Sequence, residues 1–157
     1  MGMAWPRQYD IGLVDDDWIA WLMREFVPFG GFTANRFTGS VYNIYKEGGD
    51  SWLLYNELAQ TVPGFKFGPC IYIISLTDNP GFEINENFRH VYREAARKFK
   101  RPLVGHWILE SAHYLDVSVA VQYIREDAIN LGHEHGQKAI IELGSDGAYD
   151  HVKLQAH

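Results

Sequence analysis

From Tyr114 to Tyr123 the chain reads YLDVSVAVQY, in which Val117, Val119 and Val121 alternate strictly with Ser118, Ala120 and Gln122. A period of two places the valines on one face of an extended strand and the small and polar side chains on the other. Such a strand belongs in a sheet with its apolar face covered. A second stretch narrows the choice further. CIYIISL, from Cys70 to Leu76, is apolar without a break and contains three isoleucines. That is the pattern of a central strand buried on both faces.

The other elements follow from local signals. Asp15, Asp16 and Asp17 precede WIAWLMREF, where Trp18, Leu22 and Phe26 recur at helical spacing with Ile19 and Met23 beside them. Acidic residues at a helix start satisfy free N–H groups and suit the dipole, so this run reads as a cap and not as a metal cluster. Pro28 ends the helix. Phe32–Phe37 and Val41–Tyr45 read as short strands joined near Thr38-Gly39-Ser40. Asp50 or Ser51 can cap a short helix, WLLYNELAQ, with Leu54, Leu58 and Trp52 on one face. Thr77 to Glu83 reads as a loop around Asn79-Pro80-Gly81.

Asn85 or Asn87 then caps a helix to Lys98, with Phe88, Val91, Tyr92, Ala95 and Phe99 as its apolar stripe. Pro102 ends it, and Leu103–Leu109 forms a strand connected through residues 110–113 to the alternating one. Arg125–His135 is helical, with Ala128, Leu131 and Gly132 inward and Gly136 placed for the left-handed closing conformation. Lys138–Leu143 and Ala148–Leu154 make a hairpin through Ser145-Asp146-Gly147. Met1–Gly12, which contains Pro6, reads as an irregular arm or edge.

Helices and strands joined by both hairpins and crossovers predict a single α+β domain over 1–157: a mixed, largely antiparallel sheet with helices mainly on one face. Ile73, Phe88, Tyr92, Val119 and Ile140 are expected to contact one another in its core. A chain of 157 residues, 46% hydrophobic and 15% aromatic, can bury such a core and is not a disordered chain. Its five tryptophans are spread along the length and read as core filling. The net charge of -6 argues against general nucleic-acid binding and against anionic membranes, and leaves a basic protein partner open. Cys70, the only cysteine, excludes an internal disulfide and a cysteine-based zinc site, and is expected to be a buried, inert thiol. No long apolar run, signal peptide or lipidation motif is visible, so a soluble, cytoplasmic protein is expected.

Three polar sets could carry chemistry. Arg89, Arg93 and Arg97 form one stripe on the 85–98 helix, extended by Lys98, Lys100 and Arg101. They could grip phosphates, or form a solvated face with Glu86 and Glu94 as local partners. His133 and His135 lie two apart on a helix and point about 200° from one another, which disfavours a shared metal. His106, Glu110, His113 and Asp116 on the long hairpin could form His–carboxylate pairs, the minimum for general base catalysis. No nucleophile motif, P-loop or GxGxxG accompanies them.

The succession of an apolar strand, TDNPG, the helix with REAARKF, PLVGHW and the closing GQKAIIELGSDG resembles small uncharacterised bacterial and phage proteins grouped as a domain of unknown function. The resemblance covers about Cys70 to Gly147, with Asn79, Pro80, Asn87, Gln137, Ala139, Ile140 and Gly147 in matching positions. It implies an accessory protein, plausibly phage-encoded and cytoplasmic in a bacterial cell, and supplies no catalytic residues.

The resulting expectation is an acidic accessory protein that binds a protein partner, for example by occupying a basic surface. A hydrolase or nucleotide-acting enzyme using His106, Glu110, His113 and Asp116 is the alternative, and an oligomeric structural protein the third. The partner or ligand surface is expected where Asp78, Asn79, Arg89, Arg93 and Gln137 come together, because loops at strand ends and a free helix N-terminus suit binding. No cofactor and no metal are expected. Elemental analysis of the purified protein should show no stoichiometric zinc; one equivalent, lost in His135→Ala, would overturn this.

Overall fold

The alternating strand and the unbroken apolar run are neighbours at the centre of one sheet. A computed structural model describes residues 3–4, 16–29, 31–43, 49–61, 70–80, 86–99, 102–109, 111–122 and 124–154. The elements are β1 (Met3–Ala4), α1 (Asp16–Phe26), β2 (Phe32–Asn35), β3 (Ser40–Tyr42), α2 (Ser51–Thr61), β4 (Cys70–Pro80), α3 (Glu86–Phe99), β5 (Leu103–Leu109), β6 (Ala112–Val121), α4 (Arg125–Glu134), β7 (Ala139–Gly144) and β8 (Tyr149–Lys153). This is an α+β fold, and the sheet order is β1-β3-β2-β5-β6-β4-β7-β8.

Two crossovers interlock at the centre. The strands of β4-α3-β5 do not touch, because β6 lies between them; those of β6-α4-β7 are separated by β4. The β-α-β-β-α-β interleaving is that of ferredoxin-like domains. It corrects the expectation of a mixed sheet. A helical crossover ordinarily joins parallel neighbours. Here each gap is filled by a strand running the other way, and all seven pairings among the described residues are antiparallel.

The period-two pattern sorts the core into two layers. Val117, Val119 and Val121 pack with Tyr72, Ile74, Val104 and Ile140 against Trp18 and Leu22 of α1, Phe88, Tyr92 and Ala95 of α3, and Ala128 of α4. Ile71, Ile73, Leu103 and Leu143 pack on the other side against Leu54, Tyr55 and Leu58 of α2. Three helices on one face and one on the other fit the expected arrangement. Ile73 is buried, but in the α2 layer and not with Phe88, Tyr92, Val119 and Ile140. An unbroken apolar run carries no parity, so only pairing with the alternating strand assigns its sides.

Other departures are local. Trp52 is 56% exposed. It lies two residues from Leu54, about 200° round the helix, and so points outward. Thr77 to Pro80 is strand and not loop: Thr77, Asp78, Asn79 and Pro80 pair with Val117, Asp116, Leu115 and Tyr114, and β6 begins at Ala112. Of the N-terminal arm only Met3–Ala4 is described, as a two-residue edge strand on β3. The extension of β3 to Tyr45, the Gly81 tip and the Asn85 cap lie outside the described residues.

Leu22 and Leu54 are both fully buried, on opposite sides of the sheet. Leu22→Ala and Leu54→Ala should each cost about 2–5 kcal/mol. Urea unfolding of the double variant should give their sum to within about 0.5 kcal/mol, because the sites share no contacts.

Candidate binding groove

The sheet register decides what the hairpin polar residues can do. Asp116 pairs with Gly105 and turns to the α2 side; His106 pairs with Leu115 and Phe32 and turns to the helix layer. There the imidazole stacks on Phe32 with centroids 5.7 Å apart. Asp116 is buried, accepts a hydrogen bond from Ser118 Oγ at 2.8 Å, and lies over Gly105, whose missing side chain leaves it room. A Cβ at Gly105 would stand 2.7 Å from Asp116 Oδ1.

His106 and Asp116 thus border one recess from opposite faces of the sheet, with Thr33, Ser75, Ser118 and His151 around it. Its volume is about 20 Å³, room for one water molecule and not for a substrate. Glu110 and the His113 side chain lie outside the described residues. His135 is elsewhere, at the C-terminal cap of α4.

The residues of the expected ligand surface are described only in part. Asp78 and Asn79 lie in the distal part of β4, and their side chains are outside the described residues. Arg93 is exposed and held by Glu86 at 2.9 Å, seven residues back. Arg97 pairs with Glu94, as its spacing predicts. These contacts hold the Glu86 and Glu94 carboxyls below the usual range, through hydrogen bonds from Arg93 and Arg97 respectively. Gln137 is buried, and its amide nitrogen donates to the His135 carbonyl at 3.1 Å, so it ties down the loop.

A larger opening lies on the helix side. α3 rests on β6 and β4, and α4 rests on β4 and β7, so the two helices straddle β4. Between them is a groove of about 580 Å³. Its floor is Leu76 of β4 with Val91, Ala95 and Phe99 of α3; its walls are His90, Glu94, Arg97 and Lys98 of α3 and His135 at the end of α4.

Local rules build each wall. The register of β4 against β6 shifts between Ser75 and Thr77, leaving Leu76 as the extra residue of a bulge. A bulge bends its strand and re-aims a side chain, and Leu76 packs with the helix layer. On α3, Phe88, Tyr92 and Ala95 take the buried positions, which leaves Val91 and Phe99 half-covered along one flank. α4 is stopped by Gly136 at φ 66°, as the sequence predicts. Gln137 N donates to Gly132 O at 2.9 Å and Gly136 N to His133 O at 3.0 Å, a Schellman closure that fixes His135 at the groove wall.

The groove's charge is lopsided. Glu94 is engaged by Arg97. Lys98, whose Nζ stands 5.4 Å from the Phe99 ring centroid, makes no ion pair among the described residues. Sequence reasoning singled out the basic stripe, Lys98 included, and missed Leu76 and His90 as floor and wall. A bulge leaves no mark in an apolar run; the half-covered flank of the α3 stripe was the one available signal. Compared with known protein families, with curated proteins and with solved structures, the chain matches none. No helix among the described residues is long and apolar enough to cross a membrane.

A second polar cluster anchors the start of α4. Glu142 Oε2 accepts both Tyr72 Oη and Arg125 Nη1, each at 3.0 Å. Burial, then the bond to Glu142 and its charge, push the Tyr72 hydroxyl up to about 12. Burial likewise raises the neighbouring Cys70 thiol, which is half-buried and not fully buried as expected. A folded-state pKa raised above the unfolded value gives stability that is full below about pH 10 and lost as pH rises through about 12. The melting temperature should therefore fall across that window. Because Tyr42, Tyr55 and Tyr92 are also raised, the diagnostic is a smaller fall in Tyr72→Phe than in wild type.

Proposed function

We propose that this chain is a non-catalytic binding protein whose protein partner docks in the groove between α3 and α4. One observation carries the proposal: the groove combines an apolar floor, set by the Leu76 bulge, with a charged rim, and it has room for several side chains. Small clefts of this size, mostly apolar with a few polar groups at the edge, are where recognition concentrates. The hydrolase alternative has less support, because the side chains of His106 and Asp116 lie on opposite faces at a recess of one-water size. The resemblance of about Cys70 to Gly147 to uncharacterised bacterial and phage proteins supplies no catalytic residues, which fits a role without chemistry of its own. The basic stripe at Arg89 and Arg93 becomes a flank of the docking surface and not its centre.

The test is affinity capture with wild type, with Lys98→Glu/His135→Glu, and with Arg93→Glu, each checked for folding by its melting temperature. Hydrogen exchange on the captured complex should show protection over Val91–Phe99 and at His135. Capture should fall at least about tenfold in the groove variant and far less in Arg93→Glu. Equal capture by all three proteins would place the partner elsewhere.

A further inference from the structure

We infer that the occupant of the groove is an acidic amphipathic segment of the partner protein, with its apolar side chains on the Leu76 and Phe99 floor and its carboxylates against Lys98, His90 and His135. This names the partner chemistry for the docking surface proposed above and rests on that reading. The first ground is charge. The whole chain carries -6, yet this rim presents Arg97, Lys98 and two imidazoles against a single carboxylate, Glu94. That carboxylate is already committed to Arg97, with His90 close enough to act on it, whereas no acidic group among the described residues forms an ion pair with Lys98 or His135. A basic segment would meet Arg97 and Lys98; an acidic one meets complementary charge there and N–H donors at the imidazoles.

The second ground is length. Val91 to Phe99 advances about 12 Å at 1.5 Å per residue, the length of about two helical turns or three to four extended residues. A floor of this reach, read by apolar anchors at helical spacing, is the geometry of a helix laid in a groove. The third ground is the placement of the groups that can donate to a carboxylate. Lys98 and His90 stand on the α3 wall and His135 on the opposite one, at the end of α4. A small fatty acid has one carboxylate and reaches one wall. A segment with acids on both sides of an apolar stripe reaches both. The Lys98 ammonium near the Phe99 ring adds a mixed site, where an aliphatic side chain can lie on the ring while its neighbouring acid meets the ammonium.

A displayed library of random peptides, selected on the full chain, tests this without a guess at sequence. The selected peptides should be enriched in Asp and Glu interleaved with Leu, Ile and Phe. They should bind Lys98→Glu/His135→Glu at least about tenfold more weakly than wild type, while that variant keeps its melting temperature. Lys-for-Glu versions of the same peptides should fail to bind. Selection of basic peptides, of apolar peptides without acids, or of none at all would overturn the assignment, as would binding that the groove variant leaves intact. Displacement of the selected peptides by octanoate at equal concentration would also overturn it, by giving the groove to a small fatty acid. These outcomes separate from those of the docking proposal. Loss of partner capture in the groove variant, with basic peptides selected, would keep the docking surface and discard this occupant; undiminished capture would discard the surface itself.

Discussion

The pairing of β4 with β6 is the contact on which the rest of the sheet depends. Each of these strands fills the gap in the other's crossover, so neither β-α-β unit closes alone. Their ladder runs from Tyr72–Val121 to Pro80–Tyr114 and is the longest in the sheet. It also sets the parity of every neighbour. Once Val119 faces the α3 layer, its partner Ile74 must do the same, and Ile73 must turn to α2. A shift of one residue would exchange the two layers, placing Asp116 and Ser118 among the aromatic rings of α1 and α3. The single irregularity in the ladder, at Leu76, lies where the strand passes between the helices, and there the groove opens.

Much of the fold was legible in local pattern. Trp18 and Leu22, the Phe88-Tyr92-Ala95 stripe, the alternation at Val117–Val121 and the Gly136 stop each rest on a spacing or a backbone requirement within a few residues, and each holds in three dimensions. What escaped is what only pairing decides. The side taken by Ile73, the continuation of β4 through Asn79 and Pro80, and the antiparallel pairing of every described neighbour depend on strands distant in sequence. Trp52 escaped for another reason: an eleven-residue helix with apolar residues on several sides offers no clear inward face until the sheet beneath it is known.

The site was less legible than the fold. Charged residues advertise themselves in a sequence, so Arg89, Arg93 and the hairpin histidines drew notice. Yet Arg93 is held by Glu86, and His106 is stacked inside the core. The groove owes its shape to quieter features: one extra residue in a strand, the flank of a stripe and a helix closed by glycine. Its cations are few, and they matter because the carboxylate beside them is engaged and the surrounding chain is acidic.

The β2–β5 pairing joins Phe32–Asn35 to Leu103–His106, about seventy residues further along the chain. A growing polypeptide therefore exposes β2, β3 and the aromatic face of α1 well before the edge they dock onto has been made. β2 can dock only once β5 has been made, because β5 is its neighbour on the inner side of the sheet. Long-range closure of this kind is slow, and apolar segments waiting for it are open to misassembly and to holding chaperones. The N-terminal third, with Trp18, Trp21, Phe26 and Phe32, is thus the part of the molecule whose yield depends most on the pace of synthesis.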